Sequence, residues 1–299
     1  GRGLRPPWDV YRAVLAATGG ERAVSGPPIS ANETHLTFEV PFWTHRATDA
    51  GVLLAHGGAL TPLPQHPAPA SSSPFGAQTV QFLESWGEAS LTQASAAGGA
   101  VVTLTGAGFN AEDAGAYECD FGGLASVAAD SVSTREVVCT VPVWTRAATS
   151  VPLMLRRRGA TLPRLSRTES DPLAVGFTFV TVWSSYAPLF ASIDTSETVT
   201  LYGNGYNVSA TYRCEFTALD GSGFTRDVQA TAVTHSALQC ASPVPGGGGA
   251  ALRLELRLYS PDGGLLGVEP FSLVRPGVSA DAVGAAGGAV LSIASFGVG

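Results

Sequence analysis

Four cysteines carry most of the chemistry legible in this sequence: Cys119, Cys139, Cys214 and Cys240. They fall as two pairs, twenty and twenty-six residues apart. No Cys-x-x-Cys spacing occurs and no histidine stands in register with them, so a zinc site is not expected. What remains is oxidation to disulfides. Of the three connectivities open to four cysteines, Cys119–Cys139 with Cys214–Cys240 is the simplest. Each bridge would close a loop of roughly 20–25 residues, a constraint of about 3 kcal/mol on the unfolded chain. Asn32-Glu-Thr34 and Asn207-Val-Ser209 are acceptors for N-linked glycans. Together with paired cysteines they point to an oxidising, extracellular setting.

Other chemistry is weakly represented. The stretch Val101–Phe121 contains Gly106-x-Gly108, but a dinucleotide site needs a third glycine and a following helix. Position 111 is Ala, and Tyr117-Glu-Cys119 continues as strand. The glycines read instead as a tight turn or bulge where no Cβ fits. Glu112, Asp113 and Asp120 form an acidic cluster that would suit Ca²⁺ only with further oxygen ligands. The equivalent positions Val208, Ser209 and Glu215 do not repeat it, so solvated loop acids are expected. His35, His45 and His235 each sit beside a strand, and His56 and His66 flank or occupy a loop. With no Gly-x-Ser-x-Gly elbow, no catalytic triad is indicated. Trp43 and Trp144 follow Val-Pro at equivalent positions, and Trp86 and Trp183 lie near repeat starts. They read as core or inter-domain packing rather than as a sugar-binding row. Arg156–Arg158 reads as a solvated strand end.

The elements that must hold these residues are strands in a repeat. Val199–Phe216 restates Val101–Phe121, with Gly203 and Gly205 standing ninety-seven residues after Gly106 and Gly108. Tyr117, Cys119 and Phe121 alternate as one strand face. Leu252, Leu254, Leu256 and Leu258 alternate with Arg253, Glu255 and Arg257. The 36 Gly and 20 Pro are spread along the chain, as short strands joined by tight turns require. Leu219–Gly223 and Pro261–Gly264 read as hairpin turns. Helical patterning is confined to Trp8–Ala16.

Residues 1–57 read as the later part of a repeat, with strands near Tyr11–Leu15, Leu36–Phe42 and Gly51–Ala55. There Phe38 aligns with Cys139 and Ala13 with the other cysteine, so both half-cystines are lost together. Residues 58–76 read as a Pro- and Ser-rich linker. Complete repeats follow at 77–171, opened by Val80–Phe82, and at 172–269, opened by Phe177–Trp183. Residues 270–299 read as the opening strands of another, from Phe271–Arg275 to Gly288–Val298.

Strand, Gly-x-Gly-aromatic, then Tyr-x-Cys-x-Phe and a later Cys-x-x-Pro resembles the IPT/TIG family, the immunoglobulin-like domains of plexin type. The matching residues are Gly106, Gly108, Phe109, Cys119, Phe121, Cys139 and Pro142, and Gly203, Gly205, Tyr206, Cys214, Phe216, Cys240 and Pro243. The resemblance implies an all-β fold of tandem β-sandwiches, each of about seven short strands, arranged end to end. It also implies disulfides that staple extracellular sandwiches.

Composition bounds the rest. Formal charge is −7, all 17 basic residues are Arg, and only 14% of residues are charged, against a typical ~25%. No basic face marks nucleic-acid binding. The longest apolar run, Leu173–Trp183, is too short to span a bilayer. Lacking an initiator Met, the sequence reads as a segment of a longer precursor. The expected role is non-enzymatic and cofactor-free: a segment of a multi-repeat extracellular structural or adhesion glycoprotein. Its partners would be other protein chains or further repeats, in a homo-oligomer or filament. The Ala/Gly/Pro-rich, Lys-free composition resembles green-algal flagellar-surface and mastigoneme glycoproteins. A receptor or channel-associated ectodomain, and an accessory module of a carbohydrate-active enzyme, are the alternatives.

Overall fold

Alternation along Tyr117–Phe121 shows how the pattern becomes a sheet. The computed structural model describes residues 4–62, 79–164, 174–246 and 251–275. In it Tyr117, Cys119 and Phe121 are buried on one strand face, as a period of two requires. They meet Arg157, Leu155 and Leu153 of Ser150–Arg157, an antiparallel neighbour whose leucines are fully buried. The fold is all-β. The helical turns among the described residues are two 3-10 segments, Trp8–Val10 and Ala111–Ala116. Trp8–Ala16 is therefore not an amphipathic helix: from Tyr11 it runs as the strand Tyr11–Ala17.

The chain divides into two compact units, 1–94 with 98–142 and 150–178, and 95–97 with 143–149 and 179–299. In the first unit, residues 4–62 supply four strands of a five-stranded sheet, in the order Arg22–Val24, Tyr11–Ala17, Asp49–His56, Ala59–Pro62, and a separate two-stranded one. Leu36–Phe42 is strand only over Leu36–Thr37, paired with Ser30–Ala31. The same unit contains an immunoglobulin-like sandwich. One sheet runs Ser131–Val132, Glu136–Thr140, Val101–Ala107, Ser85–Ala89; the other runs Ala125–Ala128, Tyr117–Phe121, Ser150–Arg157, Val175–Val180, Gln93–Ser95.

The second unit is an eight-stranded sheet in the order Val182–Ala187, Thr198–Asn204, Ala237–Ala241, Thr225–Thr234, Thr211–Ala218, Ala251–Tyr259, Leu265–Val274, Phe190–Ser192. Cys214 pairs in register with Val228 and Cys240 with Ala230, on opposite sides of the long strand Thr225–Thr234. Two strands apart in a flat sheet is about 10 Å, yet these cysteine Cα atoms are 6.6 Å apart. The sheet is thus bent over on itself along that strand. Ala125–Ala128 and Ser131–Val132 do the same work in the first unit as two short pieces, one in each sheet.

Strand pairing corrects the assignment of three segments. Val80–Phe82, expected to open a repeat, lies at Thr79–Gln81, paired to Asp49–His56 of the preceding sheet. Phe177–Trp183 splits: Val175–Val180 pairs backward with Ser150–Arg157, and Val182–Ala187 pairs forward with Thr198–Asn204. Phe271–Val274 closes the sheet of Ala251–Tyr259 rather than beginning another. In each case the apolar segment, or its first half, pairs with a strand that precedes it in the chain. Ala59–Pro62, placed in the linker, is a strand hairpinned onto Leu53–His56. The remainder of the linker, with His66, and Gly288–Val298 lie outside the described residues.

Candidate interaction site

The signature turn is built from glycines that tolerate no substituent. A Cβ on Gly106 would stand 2.2 Å from the Ser85 carbonyl oxygen, and one on Gly203 would stand 2.1 Å from that of Val182. The ladder between Ser85–Ala89 and Val101–Ala107 shifts register at Gly106, the bulge the sequence implied. Two residues on, Gly108 and Gly205 take φ of +84° and +85°, a backbone region that costs an L side chain strain.

Behind each turn stands a tyrosine two residues before the cysteine. Tyr117 Oη accepts from Asn110 N at 2.7 Å and Tyr212 Oη accepts from Asn207 N at 2.8 Å. Tyr11 Oη accepts from Arg5 N at 3.3 Å. Like the tyrosine corner of immunoglobulin-like folds, a side chain here satisfies a backbone amide where the chain turns into its strand, but it stands before the first cysteine of the bridge and not the second. Sequence reading missed it, although Tyr-x-Cys in both repeats was its signal. The corner at Tyr11 also supports placing Ala13 at the cysteine position. Phe109 and Tyr206, fully buried, pack edge-on against these tyrosines with ring centroids 5.8 and 5.6 Å apart. The structure joins Cys119 to Cys139, from one sheet of the sandwich to the other, and Cys214 to Cys240.

The acidic cluster and Arg156–Arg158 prove to be partners, a correction to the solvated reading of both. Arg157 reaches Glu84 at 2.5 Å and Asp113 at 2.8 Å, and Arg158 reaches Asp113 at 2.7 Å. Arg156 stands 2.5 Å from Asp120, an ion pair without hydrogen-bond alignment, and Arg46 meets Glu112 at 3.0 Å. Tyr117 donates to Glu84, which is only 8% exposed, at 2.8 Å. Burial, with Glu84 alongside, pushes the Tyr117 phenol up to about 12. The Arg157 guanidinium holds the Asp113 carboxyl below its usual range. These contacts join residues far apart in sequence, so no local pattern announced them. Glu84 and Arg157, paired with each other, also line an open cleft with Ala47, Asp49, Phe82, Leu162 and Pro163.

The histidines engage rings, hydroxyls and carbonyls. His35 Nδ1 lies 2.8 Å from Thr34 Oγ1, and His235 Nδ1 donates to the Tyr206 carbonyl at 2.7 Å. His45 and His56 pack against Trp43 and Tyr11. Asn32 and Asn207 are exposed. Asn32 Oδ1 accepts from Thr34 N, Thr34 Oγ1 and His35 N, and Asn207 Oδ1 accepts from Ser209 N. Trp43 and Trp144 are buried, 5% and 2% exposed, so they offer no open platform for a sugar. Each stacks on a phenylalanine far along the chain, Trp43 on Phe82 at 4.4 Å and Trp144 on Phe179 at 4.1 Å.

No curated protein matches the chain. Among solved structures it is similar to the full extracellular region of Plexin A4, domains 1 to 8, at 13% identity over 64% of this chain and 27% of that one, with a TM-score of 0.26. A second Plexin A4 structure, domains 1 to 10, is 10% identical over 83% of this chain and 32% of that one, TM-score 0.21. The chain thus spans about a third or less of those plexin chains. A tetra-tandem repeat in the extending region of a large adhesion protein is 10% identical over 91% of this chain and 68% of that one, TM-score 0.32. Residues 88–168 match the family model of the IPT/TIG domain, and the chain therefore carries an immunoglobulin-like IPT/TIG domain there.

Proposed function

We propose that this chain is a run of disulfide-stapled immunoglobulin-like repeats of an extracellular structural or adhesion glycoprotein. It acts as a spacer and as a surface for other protein chains. The observation that carries this reading is the recurrence of one buried bridge at the same two strand positions, Cys119–Cys139 and Cys214–Cys240. Bridges of this kind form and persist in oxidising compartments. Strand pairing supports repeat boundaries near Gln81, Val180 and Val274. N-linked glycans on exposed Asn32 and Asn207 complete the picture.

Secretion from a eukaryotic cell tests it. Nonreducing peptide maps should recover Cys119 with Cys139 and Cys214 with Cys240, and enzymatic deglycosylation should shift the mass of both sequon peptides. Beads coated with the chain should then cluster or capture a surface protein. A free thiol at Cys119 or Cys214 in the secreted chain would remove the basis of the proposal.

A further inference from the structure

The second glycine of the signature turn is usually read as serving its own domain. Here part of its surroundings comes from an earlier stretch of the chain. In the first unit, Gly108 lies against Leu83, Glu84 and Ala47, where a Cβ would stand 3.2 Å from the Leu83 carbonyl oxygen and 3.4 Å from Ala47 Cβ. Ala47 N donates to the Gly108 carbonyl at 2.6 Å. Ala47 is presented by a loop held at both ends. Trp43 Nε1 donates to the Arg46 carbonyl at 2.8 Å, and the Thr48 carbonyl accepts from Phe82 N at 2.9 Å.

The second unit repeats these three hydrogen bonds. Ala148 N donates to the Gly205 carbonyl at 2.8 Å, and the Thr149 carbonyl accepts from Phe179 N at 2.9 Å. Trp144 Nε1 donates to the Ala147 carbonyl at 2.8 Å. A Cβ on Gly205 would meet Ala96 Cβ at 3.0 Å, Thr181 Cα at 3.2 Å and Ala148 Cβ at 3.3 Å. Both loops share the sequence Trp-x-x-x-Ala-Thr.

We propose that Gly108 and Gly205 are coupling sites between successive repeats, and that each takes as its ligand the Trp-x-x-x-Ala-Thr loop of the repeat before it. This rests on the spacer reading and gives it a mechanism. The bare Cα admits the alanine, the turn carbonyl accepts its amide, and the tryptophan stacked on phenylalanine sets the loop's position. The chain also contains its own negative case. Five residues after Cys240 stands Pro245 where Trp144 follows Cys139, and Leu273 occupies the register position of Phe179. Both members of the stack are absent together, followed in sequence by a run of four glycines. The third loop is therefore not a ligand of this kind.

Hydrogen exchange read by mass spectrometry on the whole 299-residue chain tests the assignment. In the unsubstituted chain the Ala148 amide should be protected. Gly205→Ala should accelerate exchange of Thr145–Thr149 at least tenfold. Ala148→Arg, which places bulk on the loop side without straining the turn, should accelerate both that loop and Gly203–Asn207. Exchange in the Cys119–Cys139 sandwich should stay unchanged in each. Acceleration by Gly205→Ala confined to Thr198–Cys214 would overturn the proposal, because the glycine would then serve only its own turn. So would an unprotected Ala148 amide, or an Ala148→Arg chain that exchanges like the original. A chain that is never secreted yet passes this test would sink the spacer function while leaving the coupling intact.

Discussion

Phe109 and Tyr206 occupy the same place after the signature turn and differ by one hydroxyl, so exchanging them isolates that oxygen. Tyr206 is fully buried, and its Oη has no hydrogen-bond partner among the described residues. Burial raises its phenol well above the ordinary tyrosine range. An unpaired buried hydroxyl costs about 1–3 kcal/mol. Tyr206→Phe removes that cost and leaves a void on the order of 15 Å³, which returns roughly 0.4 kcal/mol at about 24 cal/mol per Å³. The net expectation is a gain of about 1–2 kcal/mol, or a rise in Tm on the order of 5 °C for a domain of this size. Phe109→Tyr should do the reverse. A Cβ at Gly106 would already stand 2.5 Å from Phe109 Cζ, so an added oxygen crowds the bulge and costs about 1–3 kcal/mol. Scanning calorimetry on the full chain should show the two variants moving different transitions in opposite directions. If Tyr206→Phe lowers stability by 1 kcal/mol or more, the hydroxyl has a partner and the reasoning is refuted.

Four further outcomes are expected. Replacing Cys119 and Cys139 by Ala, or Cys214 and Cys240, should each cost about 3 kcal/mol in urea unfolding, since loops of twenty and twenty-six residues constrain the unfolded chain almost equally. Trp144→Ala should cost about 3–5 kcal/mol by opening a cavity beneath Phe179, measured by the same unfolding curves. Stability should fall with alkali. The folded Tyr117 keeps its proton to about 12 while the unfolded phenol releases it near 10.0, so the contribution is complete below the lower value and lost as pH rises between them. Absorbance at 295 nm followed alongside circular dichroism checks this, and Tyr117→Phe should blunt the loss. In acid the sign reverses. Asp113 is held below its free value of 3.8 by Arg157, so its stabilisation is present above that pH and disappears as pH falls further. Asp113→Asn should flatten that limb of an acid titration.

Local pattern made some of this legible and distance hid the rest. Tyr117, Cys119 and Phe121 announce a strand because alternation is a property of neighbouring residues. Gly106 announces a bulge for the same reason. Arg157, by contrast, meets Glu84 across 73 positions and Asp113 across 44. Nothing in the triple-Arg run distinguishes a paired side chain from a solvated one until the sheet brings its partners in. Phe82 and Phe179 could be seen as apolar, but their stacking on Trp43 and Trp144 depends on loop paths that no periodicity encodes.

The misplaced strands have a deeper cause, because a period has no origin. A ninety-seven-residue repeat places Val80 over Phe177 and Trp86 over Trp183 equally well wherever the cut is made. Only hydrogen bonding decides the phase. Phe177 faces Val151 in the register of the preceding strand, while Trp183 faces Gly203 in the following one. Between Val175–Val180 and Val182–Ala187 lies the single residue Thr181, whose Cα is one of the three atoms that crowd Gly205. Thr181 thus stands between a strand that pairs backward and one that pairs forward, and also against the signature turn. On the proposed coupling, inserting two glycines after Thr181 should abolish protection of the Ala148 amide while leaving both disulfides formed.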